Sequence, residues 1–210
     1  MKKIVVLIIA TTVVLLSTGC KYEEWPDGIP EYEHVYYIHF KRTFAYTDYL
    51  RFEIASNGNA RWGNGAILST LTWATSDEPW VTSDIPFQFF SERVRSYDVV
   101  TYFWVFNKEE SALTPGVDYT VIHENGTILT PNANGAYSLT WPKAIKGVQN
   151  IKIRRSAGSP GGELWVSTFQ PGCETPTFNS PSTAIITQTS EYEIWGSAGD
   201  YEKVDVIFTN

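Results

Sequence analysis

The chain has 210 residues, 16 of them basic against 23 acidic, and a formal net charge of −7. Phosphate backbones and anionic headgroups repel an acidic chain, which excludes nucleic-acid binding and electrostatic docking on membranes. Its outlying feature is aromatic content, eight Trp, twelve Tyr and eleven Phe against one Met, which suits β-sheet faces and flat recognition surfaces.

At the N-terminus Lys2 and Lys3 precede an uncharged apolar run over residues 4–16. That run is too short for a spanning helix, which needs about 20 residues. A charged start, a short apolar core and a small-residue exit read as a secretory signal over residues 1–19. The closing Leu16-Ser17-Thr18-Gly19-Cys20 resembles the lipobox of bacterial lipoproteins. That resemblance implies that the Cys20 thiol is acylated and that Cys20 becomes the new N-terminus; an ordinary signal peptide with an incidental cysteine is the alternative. Losing Lys2 and Lys3 leaves 14 basic against 23 acidic residues, a charge of −9. The membrane is then reached through lipid alone, each buried methylene contributing roughly 0.8 kcal/mol.

Residues 20–31 are polar, hold two prolines and show no period, so they read as a tether. Lys21, Glu23 and Glu24 resemble the acidic export signal of Bacteroidetes lipoproteins, which implies lipid anchoring in the outer membrane and display at the cell surface.

Residues 32–210 read as a single β-sandwich domain of the antiparallel, immunoglobulin-like kind. Runs rich in aromatic and β-branched residues, broken by Gly, Pro, Asn and Asp, predict strands over 35–40, 49–55, 66–73, 85–90, 99–106, 118–122, 136–140, 148–153, 163–168, 184–189 and 203–208. In the second run Leu50, Phe52 and Ile54 share one face while Arg51 and Glu53 share the other. Asn125-Gly126 signals a hairpin and Asn134-Gly135 offers another. Residues 56–65 read as a long Gly/Asn loop carrying Arg61, Trp62 and Asn64. Residues 156–162 are either a linker at an internal boundary or a long loop; only 48 residues follow, which favours a loop.

The phrase Leu113-Thr114-Pro115-Gly116-Val117-Asp118-Tyr119-Thr120-Val121, with its flanking strands, resembles the Calx-β-like, immunoglobulin-type domain of Bacteroidetes surface lipoproteins. The likeness covers about half of the chain beyond the signal, and residues 41–92 do not fit it, leaving room for an insertion with its own role. The resemblance implies glycan capture, or an accessory role beside an outer-membrane glycan transporter.

Direct signs of catalysis are missing from the sequence. His34, His39 and His123 show no metal-binding spacing, and no nucleophile elbow, Walker loop or dinucleotide fingerprint is present, so no metal or cofactor is expected. Glu109, Glu110, Glu191 and Glu193 read as solvated charge rather than a hydrolytic carboxylate pair. Cys173 is the one cysteine beyond Cys20 and reads as a buried small residue.

The tryptophans divide. Trp104 lies inside an apolar strand and reads as core, whereas Trp62, Trp80 and Trp165 stand beside Gly, Pro or loop residues, where an indole can stack on a sugar ring while Arg61 and Asn64 address hydroxyls. Trp73 and Trp195 fit either group. The expected function is non-catalytic glycan binding at the outer membrane; a fimbrial or envelope assembly subunit is the alternative, and an enzyme a third.

Overall fold

Burial along β2 (Tyr49–Ala55) follows the period-two pattern of its sequence: Phe52 and Ile54 are buried, while Arg51 and Glu53 stay partly exposed. The same alternation recurs in β1 (Val35–Phe40) and β5 (Ile85–Phe90) of the computed structural model, which describes residues 34–41, 49–65, 67–91, 96–143, 146–172, 185–196 and 203–210. Cys20, its tether and Cys173 lie outside the described residues. His34–Asn210 form one compact unit.

Two seven-stranded sheets make an all-β sandwich. The first runs in the order β12 (Ile185–Gln188), β13 (Glu193–Gly196), β1 (Val35–Phe40), β5 (Ile85–Phe90), β10 (Lys146–Arg155), β7 (Tyr119–His123) and β8 (Ile128–Leu129). The second runs β4 (Thr72–Thr75), β3 (Ala60–Gly65), β2, β14 (Lys203–Thr209), β11 (Gly162–Ser167), β6 (Val99–Asn107) and β9 (Ala136–Trp141). Most pairs are antiparallel, but β1 runs parallel to β13 and β2 parallel to β14.

Aromatic side chains fill the space between the sheets. Phe87 of β5 meets Phe103 of β6 with ring centres 4.8 Å apart, and Phe89 stacks on Trp141 of β9 at 5.1 Å. The Trp141 indole also donates to Thr101 Oγ1 at 2.8 Å, so its one polar atom is satisfied in the interior. Tyr36, Phe40, Phe52, Tyr119, Tyr137, Tyr192 and Phe208 join the same core. Thirteen aromatic side chains among the described residues are buried, so much of the aromatic content is packing. Trp104 is buried, as its strand context predicts.

Arg155, the last residue of β10, is a buried cation that ties the layers together. Its guanidinium donates to the carbonyls of Ile54 at 2.8 Å and Thr209 at 2.7 Å in the second sheet, and to the Ser159 carbonyl at 2.8 Å. Residues 156–161 thus form the crossover from β10 in one sheet to β11 in the other, drawn around this side chain.

Several local expectations change. Residues 60–65 form β3 and not a loop, because Gly58 at φ +87° and an Asx turn, Asn59 N to Asn57 Oδ1 at 2.9 Å, close a tight hairpin with β2. The strand expected over 66–73 is replaced by a 3-10 turn at Leu68–Thr70 followed by β4. The Thr70 carbonyl sits where a side chain at Gly65 would stand, so the turn folds back on β3. Asn125-Gly126 does close the β7–β8 hairpin, with Gly126 at φ +86°. Asn134-Gly135 also turns, with Gly135 at φ +76°, but it joins β8 in the first sheet to β9 in the second. The described strands within residues 41–92 belong to the sandwich: β5 lies between β1 and β10, and β2 lies beside β14.

Candidate functional site

Strand β3 lies next to the edge of its sheet, and its alternation sends Trp62 and Asn64 to one face and Arg61 and Gly63 to the other. Trp62 packs partly against the core, opposite Phe52, and Asn64 stands opposite Leu50. Together with Leu50 they line a cleft of about 330 Å³, in the lower range of small-ligand sites.

The opposing wall comes from residues 76–84, which carry the chain from β4 in the second sheet to β5 in the first. This segment supplies Asp77, Glu78, Thr82, Ser83 and Asp84, while Lys41, Pro86 and Lys152 of β10 complete the lining. It is fastened at both ends of its run. Ser76 N donates to the Ala60 carbonyl at 2.8 Å on β3, and on β10 Thr82 N donates to the Ile153 carbonyl at 2.9 Å while its Oγ1 accepts from Ile153 N at 3.0 Å.

Charge in the cleft is arranged around Lys152. Its Nζ lies 2.8 Å from Glu78 Oε1 and 4.0 Å from Asp84 Oδ1. The hydrogen bond and the charge of Lys152 hold the Glu78 carboxyl below its usual range, and the hydrogen bond to Glu78 raises the lysine. Asn64 contrasts with this: its Oδ1 is buried and has no hydrogen-bond partner among the described residues. A buried acceptor without a donor is uncommon, and this one belongs to a residue that lines the cleft.

The other candidate residues lie elsewhere. Arg61 points away from the cleft, pairs with Glu53 through Nε at 2.7 Å and lies 4.2 Å from the centre of the Trp73 ring. Trp73 is thereby held between Arg61 and Gly63, whose missing side chain gives the ring its room. Trp80 sits at φ 67° with its indole against Gly58 and its backbone bonded to Gly58 and Arg155, so it fastens the wall segment to the β2–β3 hairpin. Trp165 lies on the outer face of β11 with Lys108 and Lys203 ammonium groups 4.8 and 4.7 Å from its ring centre. Trp195 donates to Glu193 Oε2 at 3.1 Å.

Of the candidates read from the sequence, Trp62 and Asn64 line the cleft, and the residues of its acidic wall were not among them. A signal was present in the run Thr75-Ser76-Asp77-Glu78-Pro79, continued by Thr82-Ser83-Asp84, where carboxylates and hydroxyls crowd beside an indole. Lys152 had no such signal, being one lysine on the wet side of an alternating strand. Among the described residues no group of His, Cys, Asp and Glu is placed to hold a metal ion. No protein-family model, curated protein or solved structure matches the chain. What fold and site define together is an all-β sandwich with a cleft lined by indole, amide and carboxylates at one sheet edge.

Proposed function

We propose that the chain is a lipid-anchored outer-membrane surface lipoprotein that captures a glycan in this cleft, without turning it over, in the service of a glycan uptake system. The observation that carries the reading is the pairing of Trp62 with Asn64 on one face of β3. The indole offers a flat apolar surface to a sugar ring's C–H face, and beside it Asn64 brings an amide to the same lining, a group that hydrogen-bonds hydroxyls. The signal over residues 1–19, Cys20 and the likeness to Calx-β-like lipoproteins support anchoring and display. A glycosidase general acid needs a raised pKa, and Lys152 pushes Glu78 the other way, which argues against that role for Glu78.

Isothermal titration of the mature chain against a panel of plant and host glycans tests the reading. Binding that Trp62→Ala weakens sustains it, and silence across the panel removes it. Acylated Cys20 in the mass spectrum of the native protein, together with protease shaving of whole cells, tests the placement.

A further inference from the structure

We infer that the cleft selects sugar units rich in hydrogen-bond donors and free of negative charge, accepting neutral and amino sugars and rejecting uronates and sulfated sugars. This rests on the glycan reading above and narrows it.

Charge and hydrogen-bonding capacity along the lining set this preference. Three carboxylates, Asp77, Glu78 and Asp84, line the cleft against two cations, Lys41 and Lys152. Lys152 is already engaged by Glu78 at 2.8 Å and faces Asp84 at 4.0 Å. An incoming carboxylate or sulfate would have to displace Glu78 from its lysine and sit beside the carboxylate it displaced. Like charges at that separation repel, and the acidic chain as a whole adds to the repulsion. Lys41 is exposed, as are Asp77, Glu78 and Asp84, so solvent screens both signs and the balance of three carboxylates to two cations sets the direction of the effect.

Asp77, Glu78 and Asp84 accept through two oxygens each, beside donors from Lys41, Lys152, the Asn64 amide and the Trp62 indole. Thr82 Oγ1 accepts from the Ile153 amide, and the Ser83 hydroxyl donates to Ser76 Oγ at 3.0 Å. A ligand meets this surface best by bringing hydroxyl or ammonium protons. A polyol ring does so, and an amino substituent adds charge complementarity as well.

The test is isothermal titration of the full mature chain against oligosaccharide sets offered in matched neutral, amino and uronate forms at fixed ionic strength. Within the set that binds, the uronate form is expected to bind about tenfold more weakly than the neutral form, and the amino form at least as tightly as the neutral one. The Asp77→Asn, Asp84→Asn double variant, checked for folding by circular dichroism, should narrow the gap between neutral and uronate forms, whatever it does to the affinity for the neutral one. Added salt, applied to the unmodified chain, should weaken the amino form and leave the neutral form unchanged. Uronate binding equal to or tighter than neutral overturns this selectivity and leaves glycan capture standing. Failure of every form in every set removes capture itself.

Discussion

Lys152 Nζ on β10 lies 2.8 Å from Oε1 of Glu78, a contact that joins the outer face of the first sheet to the segment walling the cleft. The partners are 74 residues apart in sequence. Both side chains are partly exposed, 28% and 53%, so the pair contributes about 1 kcal/mol or less to stability, and its larger effect is on the position of the wall.

The pair sets a pH window. The folded pKa of Glu78 lies below 4.5, so its contribution is complete above 4.5 and is lost as pH falls through the lowered value. That of Lys152 lies above 10.5, so its contribution is complete below 10.5 and is lost as pH rises through the raised value. Carboxyl-detected NMR titration is expected to place the Glu78 midpoint below 4.5, and Lys152→Met to return it towards that figure. A Glu78 midpoint at or above 4.5 in the unmodified protein would contradict the pairing.

Trp62→Ala is expected to weaken glycan binding about tenfold, equivalent to about 1.4 kcal/mol, with the fold intact by circular dichroism. Trp165→Ala, on the outer face of the second sheet, should leave affinity unchanged. The reverse ranking in titration calorimetry would move the site to the outer face.

Arg155→Met should destabilise the sandwich by about 3 kcal/mol or more, because several buried carbonyls lose their charged donor at once. Arg155→Lys recovers only part of this, since one ammonium cannot reach the Ile54, Thr209 and Ser159 carbonyls in the same fork. Urea unfolding of the three proteins gives the comparison, and a midpoint unmoved by Arg155→Met would show that the clamp carries no load.

Gly58→Ala adds a side chain at φ +87° and drives it into the Trp80 indole. A loss of about 2 kcal/mol in thermal unfolding is expected, with backbone strain supplying about half. Because Trp80 fastens the wall of the cleft, glycan affinity should fall as well; destabilisation without any change in affinity would separate the hairpin from the site.

Strand positions were legible where burial alternates. The residues of β1, β2, β5, β6 and β14 show their buried faces directly, since side-chain direction in a strand is a local property. Residues 60–65 were not legible as a strand because Gly63 and Gly65 serve distant partners: one leaves room for the Trp73 ring, the other for the Thr70 carbonyl. Glycines read as flexibility in sequence are here close approaches in space. The tryptophans show the same limit. Trp62, Trp80 and Trp165 have similar neighbours along the chain, yet one lines the cleft, one fastens its wall and one lies under two lysines.

By itself the sequence determined an all-β body, the alternation that gives strands such as β2 and β5 a wet and a dry face, and the turn at Asn125-Gly126, because these depend on residues within reach of one another along the backbone. Only the tertiary structure decided which strands became neighbours, that β2 and β14 run parallel, and that Asp77, Glu78, Asp84 and Lys152 surround Trp62 and Asn64. A period of two is the same for parallel and antiparallel partners and carries no record of distance. The packing of the two sheets selects one arrangement from many, and the cleft exists only in that arrangement.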